Sequence, residues 1–497
     1  MKKYLVYLLI AFLGIFLTGC NKFLTLVPDS EYSVEGAYKT QIDFEQAIAA
    51  VYSQQQKHFQ SSECWFRGII SRCDETTGGW AGDLPAGYVF GLNVFTDTPV
   101  NAWSYREWQS FWKIISRCNI ILGKIDPVTF PDPALKDNIK GEAYILRAWA
   151  YHYLAMQYGG MPLIATSVTA DEAKKIARST KAQTLAFAEE DYKKAATLLP
   201  VAWPAVKLGR ATKYAAEGML ARLYMFQSNF AAAKPLLSDV ISSGKYAIES
   251  NYKNCFLDSK DNGTERVWEV QFTGGLLGEG QGFSNGCLPE QFKDLSIMPF
   301  PGGSTAMPVA KSFYKAYEIG DKRRDISILK GVNLTTGRDT AISYILKFIP
   351  FDAYTPRSKV DWANNLPILR YTDVKMMYAE ALNETGYIAN GEAFSILNDV
   401  RTRAGLPLLT ATQLPSQASF RNAIIIERKF EFAFEGIRWF DLVRWGIAQN
   451  VMNQFFALPE QGNGLYSMKP HQTIFPIPFQ ELSNYNDDKI MWQNPGY

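Results

Sequence analysis

Residues 215–244 read AAEGMLARLYMFQSNFAAAKPLLSDVISSG, and residues 376–405 read MMYAEALNETGYIANGEAFSILNDVRTRAG. The first stretch carries small or apolar residues at Ala221, Ala233, Leu237 and Val240, with Tyr224 three places after the first of them. The second repeats that spacing at Ala381, Ala393, Leu397 and Val400, in steps of 12, 4 and 3 residues. The two helices of a hairpin approach closely only where the facing side chains are small, and these offsets match the tetratricopeptide pattern. The repetition predicts a mainly α chain: a tetratricopeptide-like scaffold of helical hairpins, with long irregular insertions of loops and short strands. Further amphipathic helices are predicted at about 41–57, 104–124, 137–158, 181–199 and 418–434, with Pro200 and Pro204 punctuating the end of one of them.

Two stretches interrupt the helical periodicity. The insertion at 60–105 is rich in Gly, Thr, Asp and aromatic residues, as in TTGGWAGDLPAGYVFGLNVF (76–95). Residues 251–366 mix β-prone runs, VWEVQF and AISYILKFI, with loops such as PFPGGSTAMP. The tail from Gln472 reads as loop, with Pro476 and Pro478 excluding regular helix. The predicted organisation is a leader at 1–19, an N-terminal helical region at 20–250, the irregular insertion at 251–366, and helical repeats with a tail at 367–497. All but the leader belong to one body. Long loops on a rigid scaffold are where binding sites concentrate.

The leader, MKKYLVYLLIAFLGIFLTGC, has a basic start and an apolar run of 14 residues from Tyr4 to Leu17. A membrane-spanning helix needs roughly 20 residues, so the run reads as a secretory signal. Thr18 and Gly19 before Cys20 resemble a bacterial lipobox, which makes Cys20 the acylated N-terminus and tethers the body to a membrane by lipid. Of the 51 basic residues Lys2 and Lys3 leave with the leader, which balances the 49 acidic ones. A neutral body lacks the basic footprint of a nucleic-acid binder. Cys64, Cys73, Cys118, Cys255 and Cys287 show no CxxC pairing, and Cys64 with Cys73 are either a bridge or free thiols. His58, His152 and His471 are scattered, so no zinc site and no cofactor is expected. Asp258, Asp261 and Asn262 supply oxygens to a polar turn, an arrangement shared by calcium loops and plain turns.

The densest chemistry lies at 427–446, ERKFEFAFEGIRWFDLVRWG. Helical spacing sets Glu427, Glu431 and Glu435 on one stripe, and beyond a break at Gly436, Arg438, Asp441 and Arg444 follow at steps of three. Two carboxylates could run glycoside hydrolysis, but catalytic pairs face each other from different elements, and here basic residues lie close by. An ion-pair network locking buried helices, with the interleaved aromatics filling a core, accounts for every residue of the segment.

That segment also resembles the closing helical signature of the SusD/RagB family of outer-membrane nutrient-binding lipoproteins. GEAYILRAWAYHYLAMQYGGMPL (141–163), WQSFWKIISRCNIIL (108–122), PILRYTDVKMMYAEALNE (367–384), LNDVRTRAGLP (397–407), FPIPFQELSNY (475–485) and QNPGY (493–497) are similar to further family segments in the family's order. CNKFLTLVP after the leader fits the family's start, although Thr25 stands where members often carry an acid. The resemblance implies a non-enzymatic subunit that captures oligosaccharides at the outer face of the outer membrane, above a SusC-like TonB-dependent transporter. Some members handle peptides instead, and a tetratricopeptide adaptor that binds only proteins is the reading from a different class. Sugars stack on aromatic rings while Asn, Asp and Arg satisfy their hydroxyls. By that chemistry and the family's loop positions, the candidate ligand residues are Arg67, Asp74, Trp80, Tyr88, Asn101 and Trp103, with Phe283 and Asn285 from the second insertion. Trp80, among Gly78, Gly79 and Gly82, is the residue most expected to be displayed.

Overall fold

The computed structural model describes residues 37–60, 65–77, 89–303, 307–334 and 337–497. The leader, Cys20, Cys64, Trp80 and Tyr88 lie outside the described residues. The helices that build the body are α1 (Gln41–Gln60), α2 (Ala102–Lys124), α3 (Pro133–Tyr158), α4 (Lys181–Leu198), α5 (Lys213–Phe226), α6 (Phe230–Ser242), α7 (Tyr371–Thr385), α8 (Glu392–Ala404), α9 (Gln417–Glu431) and α10 (Arg438–Arg444).

Helix α3 is the axis of the N-terminal half. Asp132 caps it, its Oδ1 accepting from Ala134 N at 3.1 Å and Leu135 N at 3.3 Å, and Pro133 occupies the first turn, where a missing N–H costs nothing. From Gly141 to Tyr158 the helix is buried on nearly every face, with α1, α2 and α4 packed against it. One charged side chain sits in this interface, and it is fully paired. Arg147 donates to both oxygens of Asp191 on α4, at 2.7 and 2.9 Å, and to Asn119 Oδ1 on α2 at 2.7 Å. Such a fork fixes three helices at once.

The two predicted hairpins are α5–α6 and α7–α8, and α6 packs on α7, so the second stacks on the first. Ala221, Ala233, Leu237 and Val240 are fully buried, as are Ala381, Leu397 and Val400, with Ala393 partly so. Gly218 shows why the interior of α5 tolerates a poor helix former. A Cβ there would stand 2.4 Å from Leu369 Cδ2, so only glycine lets that strand residue reach the helix.

The second insertion folds into short strands: β1 (Arg266–Val270), β2 (Pro308–Val309), β3 (Ile328–Leu334) and β4 (Gly337–Ile345), completed by β5 (Leu366–Arg370). β1 pairs antiparallel with β5, and the other three form a sheet in the order β2-β4-β3. Both β1 and β5 are buried at every residue, as strands enclosed by helices should be.

Two expectations shift. Helix α9 ends at Glu431, earlier than the spacing predicted, because Phe434 (φ 65°) and Gly436 (φ 70°) both take left-handed backbone. The tail is not all loop: a helix spans Phe479–Tyr485, with Pro478 as its extended N-cap residue, a place where proline needs no N–H partner. Cys73, Cys118, Cys255 and Cys287 are free, buried thiols.

The tight α5–α6 approach is open to test. Ala221→Leu forces extra methylenes into a closed interface and is expected to cost about 1–3 kcal/mol. Urea unfolding reads this as a lower midpoint. An unchanged midpoint would contradict the close approach of the two helices.

Candidate functional site

The charged run 427–446 folds back on the rest of the chain. Glu431 on α9 is fully buried and faces three guanidiniums: Arg403 at 2.6 Å, Arg370 at 2.9 Å and Arg323 at 3.3 Å. Glu427 pairs with Arg323 at 2.6 Å and Arg401 at 3.0 Å, and Glu435 pairs with Arg370 at 2.8 Å and Lys347 at 2.9 Å. On α10, Asp441 meets Arg444 at 2.7 Å and Arg428 at 2.8 Å, while Arg444 reaches Glu380 at 2.6 Å. Arg438 turns away from Asp441 to Asp74, at 2.9 Å.

Burial alone would raise the Glu431 carboxyl, but Arg403, Arg370 and Arg323 outweigh it and hold the group well below the usual carboxylate range. Asp373 behaves likewise: burial opposes ionisation, and Arg428 and Arg222 bring it down to about 2. A general acid for glycoside cleavage needs the opposite shift and an opening for substrate. The cavity bordered by Arg428, Asp441 and Arg444 measures 30 Å³, room for a water molecule and no more.

The base of the first insertion is anchored to this lattice. Asp74 accepts from Lys429 and Arg438, each at 2.9 Å. Glu75 Oε2 accepts from Phe434 N at 3.1 Å, bracing the left-handed residue. Thr76 bridges Val309, Thr77 N donates to Pro308 O at 3.0 Å, and Ala310 N donates to Glu75 O at 3.0 Å. The two insertions, far apart in sequence, are therefore joined at the edge of the β2-β4-β3 sheet. Arg72 secures the other side by pairing with Asp97 at 2.8 Å, its guanidinium 4.1 Å from the Phe475 ring and 4.6 Å from that of Phe95.

Among the candidate ligand residues, the structure assigns five to internal roles. Asp74 is held in ion pairs. Asn101 caps α2, its Oδ1 accepting from Ser104 N at 3.0 Å. Trp103 is 1% exposed and packs on Gly68, where a Cβ would fall 2.0 Å from its Cζ2, and beside Phe475. Phe283 is buried against Phe348, with ring centroids 5.3 Å apart, and Asn285 is buried beside it in sequence. These corrections share one cause: Trp103 and Asn101 belong to the start of α2, and Phe283 with Asn285 to a buried turn of helix at Phe283–Gly286, so neither pair is displayed by a loop. Arg67 lies in the short helix Trp65–Ser71, and Trp80 and Tyr88 fall outside the described residues. Asp258 spends its carboxylate on turn chemistry, accepting from the backbone N–H groups of Asp352, Ala353 and Tyr354 at 2.8, 3.1 and 2.6 Å.

The sequence reading passed over two adjoining clefts, of 540 and 770 Å³, that flank Gly209 and share Arg210 and Gln271 on their walls. The signal was slight: Trp203 in a proline-flanked connector between two helices.

Together the fold and its anchored insertions define a tetratricopeptide-like helical scaffold whose densest charges are spent on holding it together. Residues 310–497 match the model described as the SusD family, and residues 22–225 match one described as starch-binding, associating with outer membrane; the chain belongs to the SusD family. It is 26% identical to the SusD-like protein P25 of Formosa agariphila, over 93% of this chain and 94% of that one. Its structure is similar to the surface glycan-binding protein A of Bacteroides fluxus, with a TM-score of 0.79, 24% identity, and coverage of 92% of this chain and 100% of the other. A laminarin binding SusD-like protein superposes with a TM-score of 0.75 and 25% identity, over 93% of this chain and 100% of that one.

Removing one anion from the lattice strands several buried cations. Glu431→Ala is expected to cost about 3–5 kcal/mol, read by urea unfolding. The pH dependence has a definite sign. Glu431 and Asp373 are depressed in the folded state, so their contribution is complete above the unfolded carboxylate value of about 4 and is lost as pH falls toward 2. Melting temperature should drop across that window, and Glu431→Gln should flatten the drop. A Glu431→Ala protein of parental stability would contradict the structural role.

Proposed function

We propose that this chain is an oligosaccharide-capturing lipoprotein of the outer membrane that delivers its ligand to a SusC-like TonB-dependent transporter and performs no covalent chemistry. The observation that carries the proposal is the full-length likeness to a laminarin binding SusD-like protein. The lipobox at Cys20 supplies the anchor, and two or more acyl chains hold a protein stably at a bilayer. The displayed face is that of the exterior, where a nutrient glycan is met.

Trp80 and Tyr88 are the proposed stacking residues, with Arg67 beside them in sequence to engage hydroxyls. Asp74, Asn101, Trp103, Phe283 and Asn285 support that face from within. The supporting argument is mechanical. A sugar ring offers a weak apolar face and hydroxyls that water already satisfies, so affinity depends on groups held in place before binding. Residues 78–88 join the described fold at Thr77, which is hydrogen-bonded to Pro308, and at the helix Val89–Asn93. Asn93 ties these points together, its Nδ2 donating to Thr76 O at 3.3 Å.

Calorimetry with laminarin oligosaccharides tests the proposal. Trp80→Ala is expected to weaken binding by about tenfold or more while leaving the melting temperature unchanged. Loss of stability with affinity intact would remove Trp80 from the site. Tight binding of peptides by a protein indifferent to every glycan would place the chain with the peptide-handling members or with protein adaptors.

A further inference from the structure

The 540 Å³ cleft beside Gly209 holds buried polar groups without hydrogen bonds. Its floor is β1. Arg266 and Trp268 are 5% and 3% exposed, and both line the cleft. None of the three Arg266 nitrogens makes a well-directed hydrogen bond, and neither does Trp268 Nε1. Arg266 is balanced only as an ion, 3.0 Å from Glu269 Oε2 and 3.5 Å from Asp261 Oδ1, and those two oxygens also lack a hydrogen-bond donor. Polar atoms buried like this are ordinarily satisfied, so their gathering on the wall of an open cleft needs an explanation.

The walls above them are formed by Trp203, Tyr246, Gln271 and the exposed Thr264. One face of the Trp203 ring is covered by Arg210, whose guanidinium lies 4.3 Å from the ring. Gln271 is pinned, its Oε1 accepting from Asn262 Nδ2 at 2.9 Å and Asn365 Nδ2 at 3.0 Å. The volume suits a small ligand.

We propose that this cleft is a second ligand site, and that it takes a small neutral polyhydroxylated molecule of one or two sugar rings. Donors (guanidinium, indole N–H) and acceptors (two carboxylate oxygens) stand side by side at its floor. A hydroxyl both donates and accepts, so a polyol satisfies both sets, which a simple anion or cation does not. A phosphate or carboxylate ligand is disfavoured by Asp261 and Glu269; a cation is disfavoured by Arg266. Burial, with the neighbouring Glu269 carboxylate, raises the Asp261 carboxyl, which moves the cluster toward neutrality and suits an uncharged guest. The cleft shares no residue with the Thr77–Pro308 junction, so the inference does not rest on the site proposed above.

The test uses the full chain labelled with 5-fluorotryptophan, its 12 tryptophans assigned by single Trp→Phe variants and followed by fluorine NMR. Glucose, laminaribiose and laminarihexaose are the probes. The Trp268 resonance should shift saturably with at least one of them. Thr264→Arg, a surface substitution that fills the cleft mouth, should weaken that response at least tenfold without lowering the melting temperature. A Trp268 resonance unmoved at saturating sugar, or moved equally in Thr264→Arg, overturns the second site. The Trp80 resonance in the same spectra reports separately on the loop site, so the failure of either proposal is seen apart from the other.

Discussion

Glu431 is removed from water entirely, and three guanidiniums drawn from three parts of the chain close on its two oxygens. An isolated carboxylate in such a place would shed its charge. This one stays ionised because Arg403 comes from the second hairpin, Arg370 from β5 and Arg323 from the insertion between them. Each arginine is shared in turn: Arg370 also meets Glu435 and Glu265, and Arg323 also meets Glu427 and Asp321. Buried ion pairs are weak sources of net stability but strict about geometry, since any alternative packing leaves a charge unmatched. The lattice thus fixes how the hairpin stack, the sheet and the closing helices sit against one another.

That strictness extends to the first insertion. Asp74 and Glu75 close its base on Lys429, Arg438 and the Phe434 backbone, more than 350 residues away along the chain. The segment that looked most like an active site is the support on which a ligand face can stand. Preorganisation of this kind matters most for saccharides, whose binding gains little from bulk burial.

The helices and hairpins were legible because their information is local: small residues at hairpin spacing, a 3.6-residue apolar period, Asp132 and Pro133 at a helix start. The partners in the lattice were not, because Glu431 meets residues 28, 61 and 108 positions away, and no periodicity links them. Arg438 illustrates the limit. Its spacing to Asp441 suggests a local ladder, yet its side chain serves Asp74 from the other end of the molecule. Composition also misled at the candidate site. A tryptophan in a glycine-rich stretch reads the same whether it is displayed or plugs a helix, and Trp103 does the second because it begins α2. The cleft at Arg266 left no mark in the sequence, since its character comes from hydrogen bonds that the folded chain fails to make.

The acids of this chain also show what a shifted carboxyl can and cannot signify. Burial, then the charge of adjacent Asp74, pushes Glu75 up to about 8, a value that would suit a general acid. Glu107 is raised by burial too, beside His58 Nε2 at 3.2 Å. Both side chains are sealed among packed groups, and a catalytic acid must reach a substrate. For Glu75 the shift follows from another task, because its carboxyl takes the N–H of Phe434, whose left-handed backbone would otherwise leave a buried donor unmatched. In this fold a perturbed acid marks the place where the chain turns sharply under a load of packing, and the turn at Phe434 is what carries α10 back toward the insertion it anchors.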